Sequence, residues 1–149
     1  MPFDGLDGGD PLPISPTMLV INRMIDLLAE PSKWVRGMMR LEGSDGYVHG
    51  YCMAGALRQA AKECIPARRE RWRAKQLIRK HLNAWIRQNH YSFVGSMQSY
   101  CGLVNGVIVT FNDGAIHREV MQAMFETRGT IREAIAMKEH VDHAPTSDS

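Results

Sequence analysis

Between Pro66 and His90 the chain reads PARRERWRAKQLIRKHLNAWIRQNH, and this stretch restricts the fold more than any other. Ala74, Ile78, Leu82 and Trp85 recur at helical spacing. On a wheel of 100° per residue they fall within about 80° of one another, a compact apolar face. The rest of the circumference is basic. Arg68, Arg69, Arg71, Arg73, Lys75, Arg79, Lys80 and Arg87 are eight of the eighteen Lys and Arg residues of the chain. Only Glu70 opposes them, so the segment carries +7, while the remaining ten cations and fifteen carboxylates leave −5 elsewhere. Such a helix must pack one narrow face on the body of a domain and turn a broad cationic arc outward, toward something anionic. It runs either as one helix or as two that break near Asn83.

Two residues stand out on that wheel. Trp72 sits in the middle of the basic arc, where it can stack on a base while cations hold phosphate. It can equally fill a groove on another protein or subunit, or be covered by a neighbouring element of its own fold. Arg71 intrudes on the apolar face. No helix-turn-helix, zinc-finger or RNP pattern accompanies the basic helix, which argues against sequence-specific reading of nucleic acid.

The chain of 149 residues is long enough for one domain with a substantial core. No apolar run exceeds four residues, as at Met18–Ile21, far short of a membrane span. The opening MPFDGLDGGDPLP has neither the basic nor the apolar region of a secretory signal. Three cysteines, an odd number, fit a reducing compartment rather than a disulfide scaffold. A cytoplasmic protein with no membrane partner is expected.

Residues 1–14 read as a flexible acidic tail, with Asp4, Asp7 and Asp10 evenly spaced but lacking the bidentate Glu of a calcium loop. Ser15 and Pro16 open a first helix as N-cap and N1. Ile21, Met24, Ile25 and Leu28 give it a core-facing stripe, and Pro31 ends it. Lys33–Arg40 and Tyr47–Tyr51 flank the turn-rich Glu42–Gly46 and read as a hairpin. An Ala-rich helix follows from Met53 to Ile65. Val107–Phe111, VIVTF, reads as a buried strand, with Asn112–Gly114 as its turn. A long helix is expected from Ala115 to Val141, bent or broken at Gly129. Residues 142–149 read as a disordered end. The fold class is therefore α+β: a mostly helical single domain over 15–141 with a small hairpin or three-stranded sheet.

The candidates for chemistry are few. The cysteines have no CxxC spacing, and His140 and His143 alone do not make a zinc site, so no metal and no cofactor are expected. Cys52 lies where a strand gives way to a helix, a position that can depress a thiol pKa, with His49, His90 or His117 as a base should the fold bring one near. The alternative is a small buried residue at a tight junction. Asn112 and Asp113 precede a helix, as functional carboxylates and caps both do. There is no GxGxxG, P-loop or GxSxG.

Three short motifs, Trp34-Val35-Arg36-Gly37, Cys52-Met53-Ala54-Gly55-Ala56-Leu57 and Phe111-Asn112-Asp113, together with Glu119-Val120, resemble a family of small uncharacterised actinobacterial and phage proteins with the pattern W-x-x-G, C-x-x-G-A-[LI] and W-N-D. Phe111 stands where that family carries Trp. The resemblance spans about residues 17–136. It implies that Trp34, Cys52, Gly55, Asn112 and Asp113 meet in space, as a pocket or as a packing signature, and that the chain is a phage or bacterial accessory protein.

The expected function is non-enzymatic binding of an anionic partner, a nucleic acid or a nucleotide-like ligand, through Arg68, Arg69, Trp72, Arg73, Arg79 and Lys80. Trp34, Cys52, Asn112 and Asp113 are the candidate pocket. Competing readings are a phage anti-defence protein that sequesters a host signalling nucleotide or caps a host protein, a homo-oligomer joined through Trp72, and a cysteine-dependent enzyme.

Overall fold

The apolar stripe of the first helix is wider than its four periodic residues. In the computed structural model, which describes residues 14–90 and 104–142, α1 (Pro16–Leu28) buries Met18, Val20, Ile21, Met24, Ile25 and Leu28. Apolar on so many sides, it packs at once against α2 (Met53–Cys64), α3 (Arg68–Asn89) and the last helix. The acidic N-terminal stretch, Cys101, His143 and the chain beyond Asp142 lie outside the described residues.

After α1, Pro31 opens a single 3₁₀ turn, Pro31–Lys33. The hairpin that follows is shorter than its sequence pattern: β1 (Arg40–Glu42) pairs antiparallel with β2 (Val48–Tyr51). The expected strand Lys33–Arg40 is not continuous. Trp34 instead bridges Tyr51 in parallel and Val35 N–H donates to Tyr51 O at 3.1 Å, so β2 has a neighbour on each side. Gly37, at φ +75°, makes the reversal between those two neighbours, a backbone conformation that favours glycine.

The basic segment is one unbroken helix from Arg68 to Asn89, joined to α2 by only Ile65–Ala67. Ala74, Ile78, Leu82, Trp85 and Ile86 are its buried face, as its periodicity requires.

Val107–Phe111 is not a strand. It belongs to α4 (Gly106–Gly114), and Asn112 and Asp113 lie in its last turn rather than in a β-turn. Helical spacing explains the difference: Ile108, Phe111 and Asn112, at i, i+3 and i+4, are all completely buried, while Val107, Val109 and Thr110 stay partly open. Packing against α2 and α3 outweighs the β-preference of the side chains. The final helix, α5 (His117–Asp142), begins two residues later than expected, where the Glu119 carboxylate accepts from Ile116 N–H at 2.9 Å. It passes through Gly129 without interruption. Five helices and one two-stranded sheet are thus formed by the described residues, a mostly helical α+β domain.

Candidate functional site

One side chain, Asn112, joins the three motif segments through Trp34, Val35, Met53 and Asp113. Asn112 has no exposed surface, and its amide makes four hydrogen bonds. Its Oδ1 accepts from Trp34 Nε1–H at 2.7 Å and from Met53 N–H at 3.0 Å. Its Nδ2 donates to Val35 O at 3.0 Å and to Asp113 Oδ1 at 3.1 Å. Asp113 Oδ1 also accepts from Gly37 N–H at 2.9 Å. A side-chain amide offers two donors and two principal acceptor sites, so Asn112 has none to spare for a ligand. Arg36 lies 4.8 Å above the Trp34 ring and donates to Ala115 O, and the His117 ring tilts against Trp34 with centroids 5.8 Å apart. The corner is a filled polar knot that locks the 34–37 segment, the start of α2 and the end of α4 together.

Cys52 stands beside that knot as the N-cap of α2, its Sγ accepting from Gly55 N–H at 3.3 Å. At 3 % exposure the thiol is dominated by burial, which pushes its pKa up against the lowering effect of the Gly55 and Ala54 amides. The depressed pKa expected of a helix N-terminus is therefore reversed here. None of the three candidate bases serves it. His49 pairs with Asp45 at 3.0 Å, His117 bonds Leu28 O at 2.7 Å, and His90 stacks with Trp85 and Phe111.

A different constellation forms where the hairpin, α2 and α3 converge. A cleft of about 660 Å³ opens there, within the size range of small-molecule sites. Six of its lining residues are cations: Arg40 from β1, Arg58 and Lys62 from α2, and Arg68, Arg71 and Lys75 from α3. Tyr51 and Trp72 supply aromatic surface, and among the described residues no carboxylate, imidazole or thiol lines it. Arg40 pairs with Glu42 at 2.5 Å; among the described residues the other five form no ion pair. Their mutual repulsion is felt at Lys75, whose ammonium is pushed down by burial first and then by Arg79, Arg58 and Arg71.

Two features of the sequence build this cleft. On α3, Arg68, Arg71, Trp72 and Lys75 stand at i, i+3, i+4 and i+7, one edge of the helix. On α2, Arg58 and Lys62 stand one turn apart, and Gly55 lets the hairpin close over the helix. A Cβ at Gly55 would come within 1.9 Å of Met39 O.

Of the six basic-helix residues chosen from sequence, Arg68 and Trp72 line the cleft. Arg69, Arg73 and Lys80 are exposed on the solvent side of α3. Arg79 turns to α4, donating to Asn105 Oδ1 at 2.9 Å and to Gln76 Oε1 at 3.2 Å, and burial lowers its pKa. Arg40, Tyr51, Arg58, Lys62, Arg71 and Lys75 were not singled out as site residues. The one signal for them was the awkward place of Arg71 on the wheel, which turns out to be the cleft wall. A second, smaller hollow of about 370 Å³ holds Arg23, Lys33, Asp26 and Glu63, balanced in charge, with Arg23 bonded to Glu63 at 3.0 Å.

Residues 15–137 match a family of unknown function, DUF6197. The chain belongs to that family. No curated protein and no solved structure matches it. For this DUF6197 protein, the described residues contain no group of three or more His, Cys, Asp or Glu side chains that could hold a metal ion. Nor do they contain a helix long and apolar enough to cross a membrane.

Proposed function

We propose that this DUF6197 protein is a binding protein for a phosphate-bearing anion, and that the ligand enters the cleft between the hairpin, α2 and α3. The observation that carries this reading is the lining itself: six cations from three elements and, among the described residues, no carboxylate. The Lys75 ammonium is disfavoured partly by Arg58 and Arg71, a cost that a bound counter-charge relieves. Arg and Lys donors converging in a concavity supply charge-assisted hydrogen bonds to phosphate oxygens. We read the role as binding rather than catalysis: among the described residues the lining offers no carboxylate, imidazole or thiol for proton transfer, and burial raises the pKa of the Cys52 thiol.

In this reading the basic helix contributes through its α2-facing edge, where Arg68, Arg71, Trp72 and Lys75 line the cleft. The motif resemblance to actinobacterial and phage proteins fits an accessory role in the cytoplasm, of which sequestering a host signalling nucleotide is one form.

The test is calorimetric titration with inorganic tripolyphosphate of the wild type, of Arg58→Glu/Arg71→Glu and of Arg69→Glu/Arg73→Glu. The cleft pair should lose about tenfold or more in affinity, while the solvent-side pair changes little. Loss confined to the solvent-side pair would overturn the assignment of the cleft.

A further inference from the structure

The cleft has an internal division, and this inference rests on the phosphate reading above. Its cations are arranged in tiers. Arg58 and Lys62 are one turn apart on α2, and Arg71 and Lys75 are one turn apart on α3. A turn advances about 6 Å for four residues, so the cationic wall is long enough to meet consecutive phosphate groups rather than one. Trp72 lines the same cleft and is nevertheless 57 % exposed. A large apolar ring left open among three cations of its own helix is surface awaiting a planar partner.

We propose that the ligand is a nucleotide carrying two or more phosphates, its base stacked on Trp72 and its phosphates held by Arg58, Lys62, Arg71 and Lys75. Flat stacking is available to every base and is tolerant of its identity. The concavity favours a compact ligand over a polymer. A nucleic-acid strand would be met better by the convex solvent side of α3. There Arg69, Arg73, Lys80 and Arg87 fall within about 40° of one another on the helix wheel. That ridge has no aromatic residue.

Calorimetry with the four ribonucleoside triphosphates, with tripolyphosphate and with a single-stranded oligonucleotide tests this on the full chain. At least one nucleoside triphosphate should bind more tightly than tripolyphosphate by roughly 5- to 150-fold, the range that base–aromatic stacking commands. Trp72→Ala should reduce that nucleotide to the level of tripolyphosphate and leave tripolyphosphate unchanged. Trp72→Phe should restore part of the difference. The exposure of Trp72 keeps both variants folded, which circular dichroism checks. Equal affinities for nucleotides and tripolyphosphate, unmoved by Trp72→Ala, would overturn the stacked base and leave the phosphate site standing. Binding of the oligonucleotide alone would overturn the proposal in favour of the helix ridge. No binding of any probe would overturn both this proposal and the phosphate reading.

Discussion

Trp34 and Asn112 are 78 residues apart in the chain and are joined by a 2.7 Å hydrogen bond from the indole Nε1–H to the buried amide oxygen. Through the other bonds of Asn112 this contact also fixes Met53, the first residue of α2, and Val35, the residue that extends alongside β2. The hairpin and α2 form two walls of the cleft, so the knot sets their relative position without touching the ligand.

Removing that amide should be costly. Asn112→Ala leaves Trp34 Nε1–H, Met53 N–H and Val35 O without their partner, each at about 1–3 kcal/mol when buried. A loss of about 3 kcal/mol or more in urea unfolding is expected. Asn112→Asp is no remedy, because a carboxylate oxygen would then face Val35 O and Asp113. A loss below about 1 kcal/mol for Asn112→Ala would mean that water replaces the amide and that the knot is not rigid.

Gly55 controls how closely the hairpin sits on α2. Its missing side chain is occupied by Met39 O, and the neighbouring Met39 O also accepts from Cys52 N–H at 3.1 Å. Gly55→Ala gains helix propensity of up to about 1 kcal/mol but drives a methyl group into backbone. Overpacking should win, with a net loss of about 1–3 kcal/mol in chemical denaturation. Faster hydrogen exchange at Cys52 N–H should accompany it, since that bond crosses the same contact. Because Arg40 follows Met39 directly, tripolyphosphate affinity should fall as well. A variant as stable as the wild type would show that the hairpin moves freely over α2.

The parts of this fold that were readable in sequence are those where local pattern and tertiary packing agree. Ser15-Pro16 and the stripe ending at Leu28 define α1 from either direction. The apolar face of α3 is the same on the wheel and in the structure. Where they disagree, the sequence misleads: VIVTF has the composition of a strand, yet Ile108, Phe111 and Asn112 are buried at helical spacing while Val107, Val109 and Thr110 stay partly open. The motif corner was legible as three segments brought together, but not as a saturated hydrogen-bond network, since that depends on backbone groups of Val35, Gly37 and Met53. The cleft was half legible. Charge density on α3 is visible in one dimension, whereas the joining of Arg40, Arg58 and Lys75 depends on how three elements pack.

Cys52 should behave as a capping residue rather than a nucleophile. Its Sγ is used by Gly55 N–H and its thiol is held protonated by burial. With Cys64 and Cys101 replaced by Ser, a disulfide reagent at mildly alkaline pH should label Cys52 only when denaturant is added. Cys52→Ser supplies a better capping oxygen in a slightly smaller volume, so stability should stay within about 1 kcal/mol of wild type. Tripolyphosphate affinity should be unchanged. Rapid labelling of the folded protein would reopen the cysteine-dependent reading.

Lys75 offers the sharpest separation of stability from function. Its ammonium is disfavoured in the folded chain by burial and by Arg79, Arg58 and Arg71, so its folded pKa lies below its unfolded one. The unfolded chain then binds more protons between those two values, and the penalty is present below the folded pKa and relieved as pH rises toward the unfolded pKa. Lys75→Met keeps most of the stem and removes the charge. It should stabilise the protein at neutral pH by roughly 0.5 kcal/mol, the scale of a partly exposed charge interaction. That advantage over wild type should shrink as pH rises toward the ordinary lysine pKa of about 10.4, where the native lysine gives up its proton before the unfolded one does. At the same time tripolyphosphate affinity should drop, and the dependence of log affinity on log salt should flatten by about one unit. A more stable variant that binds as well as wild type would remove Lys75 from the phosphate wall. A less stable one would show that the ammonium, not only the stem, makes a favourable interaction in the folded chain.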